Sequence, residues 1–157
     1  FVQGLSGAQF ALPDVVERLR AARDGLQAEE DLVLMNACDP ANLYGPGREY
    51  AAGDGPLAAQ GEPLTFARVP STWLVQHRGL PVLVAGNAGA NITTVLGVDD
   101  GLVQRALKAL LDHLARFEYR VTVATWNGEP VLESPGQPLL EAIGLYRDYP
   151  AMAWERN

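Results

Sequence analysis

Apolar positions along this chain switch between helical and strand spacing, and the switches mark out its elements. Over 12–24, Val15, Val16, Leu19 and Ala22 recur at helical intervals. Pro13 fits the first turn, Asp14 and Glu17 suit the N-terminal dipole end, Arg20 and Arg23 the other, and Gly25 offers a stop. Asp31-Leu-Val-Leu-Met-Asn-Ala37 is a continuous apolar run closed by Cys38-Asp39-Pro40, which predicts a buried strand over 32–37. Periodicity then vanishes over 40–63 in favour of Gly, Pro, Ala and Asn, predicting a long irregular loop. Loops of that length in compact domains often serve a partner, so Tyr44, Arg48 and Tyr50 are its contact candidates.

Strand signals follow at 64–69, 72–76, 81–85 and 91–96. His77-Arg78-Gly79 is short enough for a hairpin, and Gly86-Asn87-Ala88-Gly89 supplies the left-handed conformations of a second reversal. Asp99 or Asp100 caps a long helix to about Arg116, with Leu102, Val103, Ala106, Leu107, Leu110, Leu111 and Leu114 on one face. Residues 119–126 alternate in strand fashion, and Asn127-Gly128 predicts a tight turn back through 129–132. Ser134-Pro-Gly-Gln137 predicts a capping box for a short helix carrying Leu139, Leu140 and Ile143, and a last strand is expected over 151–154. The fold class is α+β: a curved antiparallel sheet with one long and two shorter flanking helices.

At 157 residues the chain fits a single domain. Its 48% hydrophobic and 20% charged content belongs to ordinary globular chains rather than disordered or fibrous ones. The lone Cys38 excludes an intrachain disulfide, and neither a membrane span nor a signal peptide is expected, so a cytoplasmic location is. A net charge of -7 repels phosphates on average, so strong independent nucleic-acid binding is not expected. A groove of a larger assembly can still use a few local arginines, because contacts within a Debye length of about 10 Å outweigh total charge.

No Gly-x-x-x-x-Gly-Lys-Ser/Thr loop is present, so the chain itself is not expected to hydrolyse ATP. Cys38, His77 and His113 lack paired metal-ligand spacing; Cys38 reads as a small core residue, His77 as part of a hairpin turn and His113 as a solvated helix position. Asp99 with Asp100 and Glu29 with Glu30 read as a helix cap and a polar loop rather than acid–base pairs. Gly4-Leu-Ser-Gly7 falls short of a nucleophile elbow. The predicted catalytic and metal sites are therefore none.

Tryptophans offer a binding chemistry, since a base stacked on an exposed indole is worth about 1–3 kcal/mol and neighbouring arginines can hold the backbone. Trp73 stands between Arg68 and Arg78 in sequence, Trp126 abuts the Asn127-Gly128 turn, and Trp154 lies near Arg147 and Arg156. Arg68, Trp73, Arg78 and Trp126 are the nucleic-acid contact candidates, against the alternative that each indole simply fills the core.

The opening Gly4-Leu-Ser-Gly-Ala-Gln-Phe-Ala-Leu-Pro13, with Val16 and Leu19-Arg20, resembles a module of Lhr-type (large helicase-related) superfamily 2 helicases. Ala37-Cys-Asp-Pro-Ala-Asn-Leu-Tyr-Gly45 is similar to that family's Ala-x-Asp-Pro-x-Asn-Leu-x-Gly segment. Arg68-Val-Pro70, Trp73-Leu-Val75 and Arg78-Gly-Leu-Pro-Val-Leu-Val84 resemble its strand-turn-strand. Trp126-Asn-Gly-Glu-Pro-Val-Leu132, Ser134-Pro135 and Gly144-Leu-Tyr-Arg-Asp-Tyr149 resemble its closing segment. Residues 46–63 match nothing in the family, Ala8 replaces a common acidic residue, and Leu145 replaces a common aromatic.

This resemblance implies a non-catalytic accessory region, 1–157, of a longer ATP-dependent DNA helicase, with a barrel-like sheet following winged-helix modules. It implies upstream domains of the same chain as partners, with single-stranded or forked DNA, and it places ATP and Mg in motor domains rather than here. The rival readings are a DNA glycosylase-like lesion-processing module, which needs a carboxylate or base in a flipped-base pocket, and a protein-docking module using the 40–63 loop.

Overall fold

The computed structural model describes residues 8, 10–25, 32–45, 51–52, 55–56, 58–59, 62–95 and 97–156. Helix α1 (Pro13–Gly25) comes first, with Glu17 Oε1 2.6 Å from Arg20 Nη1 on its exposed side. Next come β1 (Leu32–Asn36) and two short antiparallel ladders, β2 (Ala51–Ala52) with β3 (Gly55–Pro56) and β4 (Ala58–Ala59) with β5 (Glu62–Pro63). Strands β6 (Trp73–His77), β7 (Leu80–Gly86) and β8 (Asn91–Thr94) form an antiparallel meander beside β1. The Arg78-Gly79 turn joins β6 to β7, and a 3-10 turn over Asn87–Gly89 joins β7 to β8.

Helix α2 (Asp100–Leu114) begins where Asp99 accepts the Leu102 N–H at 3.1 Å, satisfying an amide that the first helical turn leaves unpaired. Its apolar repeat buries Val103, Ala106, Leu107, Leu110, Leu111 and Leu114. At about 1.5–3 kcal/mol for each large apolar side chain, that burial outweighs the helix's intrinsic propensity terms of under about 1 kcal/mol per residue. Beyond it run β9 (Arg120–Val123), β10 (Thr125–Trp126), β11 (Glu129–Pro130), α3 (Gly136–Ala142), β12 (Tyr146–Asp148) and β13 (Ala151–Glu155).

Besides the two short ladders, two larger sheets form, a six-stranded one in the order β1-β6-β7-β8-β10-β11 and a three-stranded one in the order β12-β13-β9. Alternation along β6 gives the larger sheet two packed faces. Trp73 and Val75 turn to α2 and the main core, while Leu74 joins Ala37, Leu64, Val84 and Val95 in a second core under Tyr44 and Phe66. Val121, Val123 and Met152 of the smaller sheet close the main core from the other side. The architecture is α+β with three α-helices among the described residues, and its sheets do not close into a barrel.

Several expectations need correction. The apolar alternation of Leu64 and Phe66 makes no strand; it packs an extended segment onto the sheet's outer face without joining a ladder. The run 119–126 is not one strand, because it breaks at Ala124 and changes sheets, and β10 then pairs with β8 in parallel, so the sheet is not wholly antiparallel. No capping box forms at α3: Ser134 Oγ accepts the Gly136 N–H at 3.2 Å and donates to Val131 O at 2.8 Å, while the Gln137 side chain turns to Glu141 instead. Cys38 is exposed rather than in the core. The loop expected over 40–63 contains the β2–β3 and β4–β5 ladders, and Arg48 and Tyr50 lie outside the described residues.

Candidate nucleic-acid interface

Residues 36–45, just beyond β1, form a hydrogen-bonded clasp. Asn36 donates its Nδ2 to Pro70 O at 2.8 Å and accepts the Cys38 N–H at 3.0 Å, and Asp39 Oδ1 accepts the Ala41 N–H at 2.8 Å. Buried Asn42 donates to Ala37 O and accepts the Tyr44 N–H, each at 2.9 Å. The Tyr44 hydroxyl then donates to Gly79 O in the β6–β7 turn at 2.7 Å. Arg68 reaches the same clasp, with Nε on Ala37 O at 3.0 Å and Nη2 on Asp39 O at 3.2 Å. Its stem lies so close to Gly45 that a Cβ there would sit 2.9 Å from Arg68 Cδ. Two of the sequence candidates, Tyr44 and Arg68, are thus brought together in a scaffold that spends their polar atoms on backbone carbonyls.

The tryptophans divide. Trp126 is only 4% exposed and lies under Gly136, where any Cβ would overlap its ring, so it offers no face to a base. Trp154 is half-buried against the main core. Arg78 is exposed in the β6–β7 turn with a φ of 52°. Trp73 is half-buried, and its partner is on α2: its ring centroid is 4.4 Å from that of His113, which lies 5.4 Å from Phe117 in an edge-to-face arrangement. This three-ring stack corrects the expectation of a solvated His113. The imidazole Nε2 is buried with no hydrogen-bond partner, and burial, followed by the Arg116 charge, pushes its pKa below the ordinary histidine value.

The stack runs from the sheet to the surface. Phe117 is 75% exposed at the end of α2, and Tyr119, two residues on, is 67% exposed. Both were missed in the sequence, although Arg116-Phe117-Glu118-Tyr119-Arg120 interleaves arginines with aromatics in a way that a composition scan could have found. Arg156 joins this turn, its N–H donating to Tyr119 O at 2.9 Å and its Nη2 to Glu118 O at 3.5 Å. Arg120 is held by Glu155 and Asp148, so its charge is neutralised. Arg116 and Arg156 form no ion pair among the described residues.

Among the described residues no group of His, Cys, Asp and Glu could hold a metal ion, and the buried polar side chains, Asn42, Thr72, Gln76 and Ser134, are none of them ionisable. An open cleft between α2 and α3 contains Arg105, Lys108 and Asp112, of which Lys108 and Asp112 pair with each other. No helix among the described residues is long and apolar enough to cross a membrane. No protein-family model and no curated protein matches the chain.

Proposed function

We propose that this chain is a non-catalytic accessory region of an Lhr-type ATP-dependent DNA helicase, guiding or scaffolding nucleic acid beside the motor and winged-helix modules of the same polypeptide. The observation that carries the guiding role is the aromatic stack that begins at Trp73 and ends on exposed Phe117, beside the guanidiniums of Arg116 and Arg156, which form no ion pair among the described residues. Aromatic faces next to cations suit single strands, whose bases are free to stack. The family's barrel-like sheet would correspond to the six- and three-stranded sheets taken together, joined at Ala124. ATP and Mg belong to the motor in this reading, and the net charge of -7 makes the neighbouring domains contributors to affinity.

Binding of single-stranded and forked DNA at low salt tests the proposal, with this chain alone and with a longer chain carrying its upstream domains. Tighter binding by the longer chain than by the same chain lacking residues 1–157 is the expected result. If both forms ignore both DNAs, the guiding role fails and scaffolding remains. The helicase assignment has its own test: the reading frame that encodes the chain is expected to encode a phosphate loop, a DExx-type box and winged-helix patterns ahead of it, and a frame without a motor overturns that assignment.

A further inference from the structure

We propose that the turn after α2 is a two-base ledge for single-stranded DNA, with Phe117 and Tyr119 each stacking one of two neighbouring bases and Arg116 and Arg156 holding the phosphates. The inference rests on the nucleic-acid reading and gives it an address that the sequence candidates Arg68, Arg78 and Trp126 do not share.

Support for the first platform comes from behind. The Phe117 ring is braced by His113, and His113 by Trp73 on β6, so the exposed ring is backed by a helix and a sheet. A ring held in this way loses little freedom when a base lands on it. The second platform is fixed by backbone: Arg156 N–H to Tyr119 O at 2.9 Å ties the turn to the end of β13. Residues two apart have Cα atoms within about 7 Å of each other, a separation that an extended strand covers in one nucleotide step.

Charge selects the occupant. Four guanidiniums elsewhere among the described residues are committed, Arg20 to Glu17, Arg120 to Glu155 and Asp148, Arg147 to Glu141, and Arg68 to two carbonyls, while Arg18 and Arg105 stand away from any exposed aromatic pair. Arg116 and Arg156 flank the two most exposed rings of the α2–β9 turn and carry no carboxylate partner among the described residues. A phosphodiester supplies the missing anion next to each ring, and its bases supply flat apolar faces. A duplex hides those faces, so the ledge prefers single strands.

The test uses the 157-residue chain, labelled oligothymidylate for affinity, and an oligonucleotide containing 2-aminopurine, whose fluorescence is quenched on stacking. Phe117→Ala and Tyr119→Ala are each expected to weaken binding about 5- to 150-fold and to restore the fluorescence. Phe117→Trp is expected to keep both, and Tyr149→Ala, an exposed aromatic outside the ledge, to change neither. Arg116→Gln with Arg156→Gln is expected to lower the slope of log affinity against log salt by about 1.4. Should the chain bind oligonucleotides while Phe117→Ala and Tyr119→Ala stay within twofold of the parent, the ledge is wrong and the guiding role survives. If the chain binds none, alone or with its upstream domains, both fall. Should the alanine variants instead dissociate a dimer of this chain and leave DNA binding intact, the ledge is a protein-docking face and the proposal is overturned.

Discussion

Replacing Asn42 by alanine removes two hydrogen bonds from inside the clasp, the donation to Ala37 O and the acceptance of the Tyr44 N–H, both at 2.9 Å. The two losses are unequal. Ala37 O keeps Arg68 Nε at 3.0 Å, so only the net value of one bond is forfeited there, about 0.5–1.5 kcal/mol. The part-buried Tyr44 N–H loses the side-chain acceptor that held it, at a cost of at most about 1–3 kcal/mol. Together these give roughly 1.5–4.5 kcal/mol, which for a chain of this size lowers the thermal midpoint by about 3–18 °C. Urea unfolding followed by tryptophan fluorescence, alongside thermal melts by circular dichroism, measures it. Arg68→Ala combined with Asn42→Ala strips Ala37 O of both side-chain partners, so the double variant is expected to lose more than the sum of the singles, with coupling above about 0.5 kcal/mol. A loss for Asn42→Ala below about 0.5 kcal/mol together with strict additivity refutes the idea that the clasp holds the outer face of the sheet.

Gly136→Ala, at the first residue of α3, drives a methyl group into Trp126, and overpacking is expected to cost about 1–3 kcal/mol; an unchanged melting midpoint and unchanged near-ultraviolet dichroism would contradict it. Asp99→Ala removes the cap of α2 and is expected to cost about 0.5–2 kcal/mol in urea unfolding, against no loss for Asp99→Asn. His113 has a folded pKa depressed by burial and Arg116, so the unfolded chain binds the extra proton first. Stability therefore falls as pH drops through the ordinary histidine value toward the lower folded one. His113→Phe, which keeps a ring in the stack, is expected to flatten that slope, and parallel stability curves between pH 7 and 5 would refute the assignment.

Elements written in local chemistry were legible in the sequence. Asp99-Asp100 marked the start of α2 because a carboxylate finds free amides there, and of the pair Asp99 is the cap; Asn127-Gly128 marked its turn because both residues adopt positive φ, 52° and 85°. Partnership was not legible. Leu64 and Phe66 carry the period of a strand, but whether such a segment joins a ladder depends on which backbone lies beside it, and here side chains dock on a sheet already covered by α2 on its other face. The parallel pairing of β10 with β8 was hidden for the same reason, since period 2 specifies faces and not direction.

Site residues followed this division. Arg68 and Trp126 have the right chemistry for DNA, yet their polar and aromatic groups are occupied by Ala37 O, Asp39 O and Gly136, contacts made far along the chain. His113 looked solvated because it sits at the margin of the apolar stripe of α2, and only the docking of α2 against β6 brings Trp73 over it.

One residue, Ala124, separates β9 in the small sheet from β10 in the large one, and the N–H groups of Ala124 and Thr125 both converge on Ala90 O, at 2.8 and 3.1 Å. A crossing this short has no slack. Strand β9 cannot peel away without dragging on β10, so Val121 and Trp126 should share one opening free energy in hydrogen exchange.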